Sequence, residues 1–279
     1  MNLSELLRGK SPLIMGVLNV TPDSFYDGGR WAKPEDAISR AGQMMEDGAD
    51  IIDVGGESTR PGAEAVSEDE ELRRVIPVIE GISKISGRKA VVSIDTYKSS
   101  VASAALDSGA GMINDISGLR YDPGMAGLAA KKSVPVIIMH MQGNPKRMQE
   151  SPQYGNVIEE ITGFLGDQAR YALKNGIKKE NIVIDPGIGF GKTTQHNVEI
   201  LQNLHRFTAT GYKLAVGVSR KSFIGKILGD ENNPAPAPER LEGTLAAVIW
   251  SAVFGAKILR VHDVMETKRA LKVVERLIL

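Results

Sequence analysis

Polar side chains gather in eight places along this sequence, and their types sort into two chemistries. Asp95, Asn114 and Asp185 are rich in hydrogen-bond acceptors, which suits a planar heterocycle presenting several N–H donors, and Lys221 can donate to a ring carbonyl. Arg60, Arg260 and His262, joined by Asn19 and Thr59, are donors suited to phosphate oxygens, with His262 also able to ligate a metal. Two rival readings are weak. Asp95 and Asp185 as a glycosidase pair lack support, because aromatic residues, the usual sugar platforms, make up only 5% of the chain. The four histidines, at 140, 196, 205 and 262, show no close zinc-ligand spacing. Gly191-Lys192-Thr193 invites a nucleotide-loop reading, but that motif needs a glycine where Pro186 stands.

Each polar cluster follows a short apolar, β-branched run. The runs are 13–19, 50–57, 90–95, 111–116, 134–140, 181–185, 213–220 and 256–262, so Asp185 with Pro186-Gly187 behind it lies at a strand's C-terminal lip. Helical spacing fills most of the intervals. Ala37, Ile38, Ala41, Met44 and Met45 share a face that Gly48 ends; Ser67 with Glu70 predicts a capping box ahead of Leu72, Val75, Ile76 and Ile79, with Pro77 as a candidate kink. Strand and helix alternating eight times at this length predict a (β/α)8 TIM barrel, a single domain spanning 1–279, with an open doubly wound sheet as the alternative. Polar residues at strand ends are what such a barrel needs, because its active face is built there. The segment 230–238, DENNPAPAP, reads as an extended surface loop.

Composition narrows the classes further. Lys plus Arg equals Asp plus Glu at 34 each, so no global field points to nucleic acid or an anionic membrane, and any phosphate site must be local. Without cysteine there are no disulfides, thiolate metal sites or cysteine nucleophiles. The opening MNLSELLRGK lacks a signal-peptide core and no run reaches the roughly 18 apolar residues of a membrane span, so a cytoplasmic protein is expected.

The blocks GVLNVTPDSFYDGG (16–29), DVGGESTRPGA (53–63), SIDT (93–96), INDISG (113–118), MHMQGNP (139–145), DPGIGFGK (185–192), SRKSFIG (219–225) and RVHD (260–263) resemble bacterial dihydropteroate synthase, from about residue 12 to the end. The resemblance implies a pterin-binding barrel that joins 4-aminobenzoate to a dihydropterin methyl diphosphate. It implies a pterin slot of Asp95, Asn114, Asp185 and Lys221, lined by Met139, Phe190 and Gly217, with Arg260 against the ring. Asn19 would bind Mg2+ on the diphosphate, whose oxygens Thr59, Arg60, Arg260 and His262 would hold. Phe25, Thr59, Pro61, Lys221 and Ser222 would border the aminobenzoate pocket, where sulfonamides are expected to compete. The same likeness implies mobile loops at 19–30 and 58–66 and a homodimer.

Two other functions share part of this pattern. A methyltetrahydrofolate-corrinoid methyltransferase would need the Asp and Asn array but not the Arg-His donors; a silent pterin-binding barrel would have lost Asn19, Thr59, Arg60, Arg260 or His262, all of which are present.

Overall fold

The computed structural model describes residues 3–21, 33–58, 64–85, 87, 90–143 and 146–278. Eight parallel strands form a closed barrel in chain order: β1 (Leu13–Asn19), β2 (Ile51–Gly55), β3 (Val91–Asp95), β4 (Met112–Asp115), β5 (Val136–Met139), β6 (Ile182–Asp185), β7 (Lys213–Val216) and β8 (Ile258–Val261), with β8 pairing back onto β1. The open-sheet alternative is thereby excluded. Around it run α2 (Pro34–Glu46), α3 (Glu68–Ser83), α4 (Ser99–Asp107), α5 (Gly124–Lys132), α6 (Val157–Lys174), α7 (Thr194–Gln202), α8 (Leu204–Thr208), α9 (Ser222–Leu228), α10 (Leu241–Val253) and α11 (Val264–Ile278).

Side chains alternate between the two faces of a strand, and both faces here are buried. Ile14, Ile52, Val92, Ile113, Ile138, Ile184, Leu214 and Leu259 face the helices. Their neighbours Met15, Ile51, Val91, Met112, Ile137, Val183, Ala215 and Ile258 pack inside the barrel, whose lower end is closed by Leu3 and Leu7 of α1 (Leu3–Arg8), a helix the sequence patterns did not reveal. Two residues further along, the same inward face carries Asp53, Ser93, Asn114, Met139, Asp185, Gly217 and Arg260. Two further again come Asn19, Gly55, Asp95 and His262. The interior thus changes from apolar to polar toward the C-terminal ends of the strands.

The helix signals hold with one difference. Ser67 Oγ accepts from Glu70 N at 3.3 Å, but the Glu70 carboxylate pairs with Arg73 and Arg74, and the reciprocal capping box forms at Thr193 and His196 ahead of α7. Pro77 lies within a continuous α3. No described helix is long and apolar enough to cross a membrane.

Candidate active site

At the polar end of the barrel one guanidinium joins two carboxylates. Arg260 Nε donates to Asp53 Oδ2 and its Nη2 to Asp95 Oδ2, both at 2.7 Å, while Asn114 Nδ2 donates to the same Asp53 oxygen at 2.9 Å. Burial pushes the Asp95 carboxyl up to about 7, against the pull of Arg260 and with further upward pressure from Asp53. Burial works against the Arg260 charge too, but Asp53 and Asp95 outweigh it and hold the guanidinium above its ordinary value. Sequence reasoning placed Arg260 both with the phosphate donors and against the ring; its Nε and Nη2 turn toward the acidic slot.

Asp185 ends β6 beside this pair. Its Oδ1 accepts from Gly187 N at 2.7 Å, and a Cβ on Gly187 would stand 1.9 Å from the carbonyl oxygen of His140, so the turn admits only glycine. Burial raises the Asp185 carboxyl, with Lys221, Lys192 and Arg260 all pulling the other way. Lys221 donates from Nζ to the carbonyl of Ile188 and sits 4.7 Å from the centre of the Phe190 ring. Burial lowers its ammonium to about 8. Gly217 lies between these cations, where a Cβ would make ordinary contact with Arg260 Cβ at 3.6 Å and Lys221 Nζ at 3.8 Å. Met139, packed with Ile116, Met141 and Met148, forms an apolar wall against which Tyr97 and Phe190 rest. The slot therefore has an apolar wall and a charged edge.

Below the wall, Lys192 Nζ lies 3.1 Å from His140 Nδ1 and donates to the carbonyl of Phe190 at 3.0 Å. Burial and the nearby Lys192 push His140 down to about 3, so its ring is neutral and Nδ1 accepts. Burial brings Lys192 to about 7.

Asn19, His262 and Ser222 complete the described residues assigned from sequence. Asn19 Oδ1 and Asp95 Oδ2 each stand 3.7 Å from the point a Gly55 Cβ would occupy, so the end of β1 opens directly onto the slot. His262 receives structure from Ser219: its backbone N–H donates to Ser219 Oγ at 3.1 Å, and Nδ1 lies 3.0 Å from the same oxygen. The same hydroxyl thus fixes both the backbone and the ring of His262. Ser222 is exposed at the start of α9. Phe25, Thr59, Arg60 and Pro61 lie outside the described residues.

Two features escaped the sequence assignment. Asp53 is wholly buried, and the signal was a carboxylate inside the apolar run DIIDVG. Lys98, three residues past Asp95, donates to Glu57 Oε2 at 2.7 Å, Glu71 Oε2 at 2.6 Å and the carbonyl of Val66 at 2.7 Å. That knot grips both sides of the segment carrying residues 59–63; nothing in the local pattern marked Lys98 as buried.

A family model described as "Pterin binding enzyme" matches residues 15–262. The chain is 44% identical over 275 residues to the dihydropteroate synthase of Bacillus subtilis, covering 99% of this chain and 92% of the relative. It is 48% identical over 264 residues to that of Escherichia coli, covering 95% and 91%. A solved structure of the Xanthomonas albilineans dihydropteroate synthase with 4-aminobenzoic acid superposes with a TM-score of 0.88 at 44% identity, covering 97% of this chain and 94% of the other.

Proposed function

The chain belongs to the dihydropteroate synthase family of pterin-binding enzymes, and from that membership we propose how its own side chains divide the work. The activity transfers a dihydropterin-methyl group from its diphosphate to the amino nitrogen of 4-aminobenzoate, giving dihydropteroate and pyrophosphate. Asp95, Asn114 and Asp185 accept from the pterin N–H groups and Lys221 donates to its carbonyl. Met139 and Phe190 bound the ring's faces, Gly217 leaves it room, and Arg260 lies against it. His262, Asn19, Thr59, Arg60 and Arg260 hold the diphosphate. Phe25, Thr59, Pro61, Lys221 and Ser222 border the aminobenzoate. The observation that carries this reading is the meeting of Asp95, Asp185, Lys221 and Arg260 at one mouth.

The chemistry follows from those roles. The CH2–O bond to diphosphate breaks with its electron pair on oxygen, and the electron-rich dihydropterin spreads the positive charge left on carbon. Asp95 and Asp185, fixed before the reaction begins, stabilise that charge, while Arg260 and His262 stabilise the departing anion. The aromatic amine is neutral at pH 7, so its lone pair forms the C–N bond without a general base and the surplus proton leaves to solvent. Among the described residues no three acidic or histidine side chains converge as a metal cage. Asn19, a single amide oxygen at the mouth, fits a hard cation that takes its other ligands from phosphate and water. A Mg2+ ion held there would neutralise diphosphate charge.

The chain forms a single domain and acts in the cytoplasm, readings supported by the barrel's closure and the absence of cysteine. A homodimer is supported by α10, which leaves Trp250 and Val253 exposed one turn apart. The direct test mixes the purified protein with the pterin diphosphate, 4-aminobenzoate and Mg2+ and follows pyrophosphate and dihydropteroate. Asp95→Ala and Asp185→Ala are each expected to lower turnover by about 10²-fold or more with the fold intact. Near-normal turnover in both would remove the site assignment and leave family membership standing.

A further inference from the structure

Between Ser219, which meets His262, and Lys221, which meets Phe190, stands Arg220 with φ of +56°. A residue with a Cβ rarely adopts this left-handed conformation, and one that does is held there by its surroundings. The hold on Arg220 comes from several directions. Its N–H donates to the buried Thr244 Oγ1 at 2.9 Å, and its carbonyl accepts from Arg240 Nη1 at 2.9 Å. Its guanidinium forms a two-pronged pair with Asp263, Nη2 to Oδ1 at 2.6 Å and Nε to Oδ2 at 2.8 Å. Nη1 donates to the carbonyls of Ala237 at 3.0 Å and Pro238 at 3.2 Å.

Position in the chain gives these contacts their meaning. Asp263 directly follows His262, as Arg220 directly follows Ser219, so the Arg220–Asp263 pair runs beside the Ser219–His262 pair as a second cross-link between the loops after β7 and β8. Glycine would take this backbone conformation without strain, and a turn that needed only its shape would be better served by it. Arginine at this position means that the side chain is required despite the backbone it must adopt.

We propose that Arg220 is a positioning residue for the condensation. Clamped by Asp263 and Thr244, it holds Lys221 and Ser222 on one side and the Ser219–His262 pair on the other in their places around the reacting bond. The inference rests on the roles given above to Lys221, Ser222 and His262.

The experiment compares Arg220→Gly, Arg220→Lys, Asp263→Asn, Asp263→Ala and the double variant Arg220→Gly/Asp263→Ala, each assayed below its own unfolding transition. Arg220→Gly keeps the turn and removes the clamp, so kcat/KM for 4-aminobenzoate is expected to fall by about 10²-fold, the cost of a misplacement near 1 Å. Binding of 6-hydroxymethylpterin, which lacks the diphosphate and is held by Asp95, Asn114 and Asp185 as well as by Lys221, is expected to weaken by much less than kcat/KM falls. Arg220→Lys recovers part of the loss, because an ammonium cannot make the two-pronged pair. Asp263→Asn, which keeps one of the acceptors, falls between wild type and Asp263→Ala. In the double variant the Asp263 change adds nothing to Arg220→Gly. Arg220→Gly with wild-type kcat/KM and only a lowered melting temperature overturns the proposal, as does a double variant whose loss is the product of the two single losses. Lys221→Ala serves as the reference: full activity there removes the site reading itself, whereas a deep loss there beside an active Arg220→Gly removes only the role of Arg220.

Discussion

Arg260 Nε reaches Asp53 Oδ2 at 2.7 Å across the inside of the barrel, joining β8 to β2 over 207 positions of sequence. The carboxylate is wholly buried and also receives the Asn114 amide, so one residue that touches no proposed ligand fixes two that do. Removing it leaves Arg260 with Asp95 as its other close carboxylate and deprives Asn114 of an acceptor. Asp53→Ala is expected to lower kcat/KM for the pterin substrate by about 10- to 100-fold through lost positioning, more than Asp53→Asn, which retains an acceptor. Steady-state kinetics on folded protein decides it; wild-type values for Asp53→Ala would show that Arg260 and Asn114 hold their places unaided.

The slot's ionisable groups predict a narrow pH range for the free enzyme. Asp95, raised to about 7 chiefly by burial, accepts pterin N–H groups only once ionised, and Lys221, lowered to about 8, donates as a cation only below that value. The profile of kcat/KM against pH should therefore rise through about 7 and fall above about 8. For stability the sign is opposite on the acid side. A carboxyl whose pKa is raised in the folded state contributes stability below its ordinary value of 3.8 and loses that contribution as pH climbs through about 7. Asp95→Asn should abolish the acidic limb; a limb that persists unchanged assigns it to another group.

Lys98 is the cation of a buried knot, its side chain 6% exposed between Glu57 at 9% and Glu71 at 1%. Gly56 beside it has no space for a side chain, since a Cβ would meet Val75 Cγ1 at 2.8 Å and Glu71 Cγ at 2.9 Å. Lys98→Met strands two carboxylates and should destabilise the fold by about 3–5 kcal/mol in urea unfolding. Adding Glu57→Gln and Glu71→Gln should return much of that loss. A Lys98→Met protein as stable as wild type would mean that water reaches the acids.

His140 adds an acid sensitivity. In the folded protein it stays neutral down to about 3, while the unfolded chain takes up its proton near 6.5, so stability from this group falls as pH drops through that interval. A protonated ring would also face the Lys192 ammonium 3.1 Å away. His140→Asn keeps an acceptor for Lys192 and removes the titration, so its stability should decline less steeply between about pH 6 and 4. Equal slopes for the two proteins in denaturant titrations would place the effect elsewhere.

Much of the fold was legible because its signals are local. Each strand announces itself by an apolar run and each larger helix by a face such as Ala37, Ala41 and Met44, so eight alternations pointed to the barrel before any pairing was known. Strand-end position likewise marked Asn19, Asp95, Asn114, Asp185 and His262, because the last inward residues of a barrel strand must reach solvent or a ligand. The six-residue α1 was missed because it is too short to show a period.

What the chain's order alone determined was which residue types stand at which strand ends, a matter of two-residue alternation along each run. Which of them meet was decided only by closure of the barrel. That closure brings Arg260 to Asp53, Lys98 to Glu71, and Arg220 to Asp263. Nothing in the chain's order pairs these charges, and only the burial of each against a distant partner, where water no longer screens the pair, turns them into parts of the site's frame.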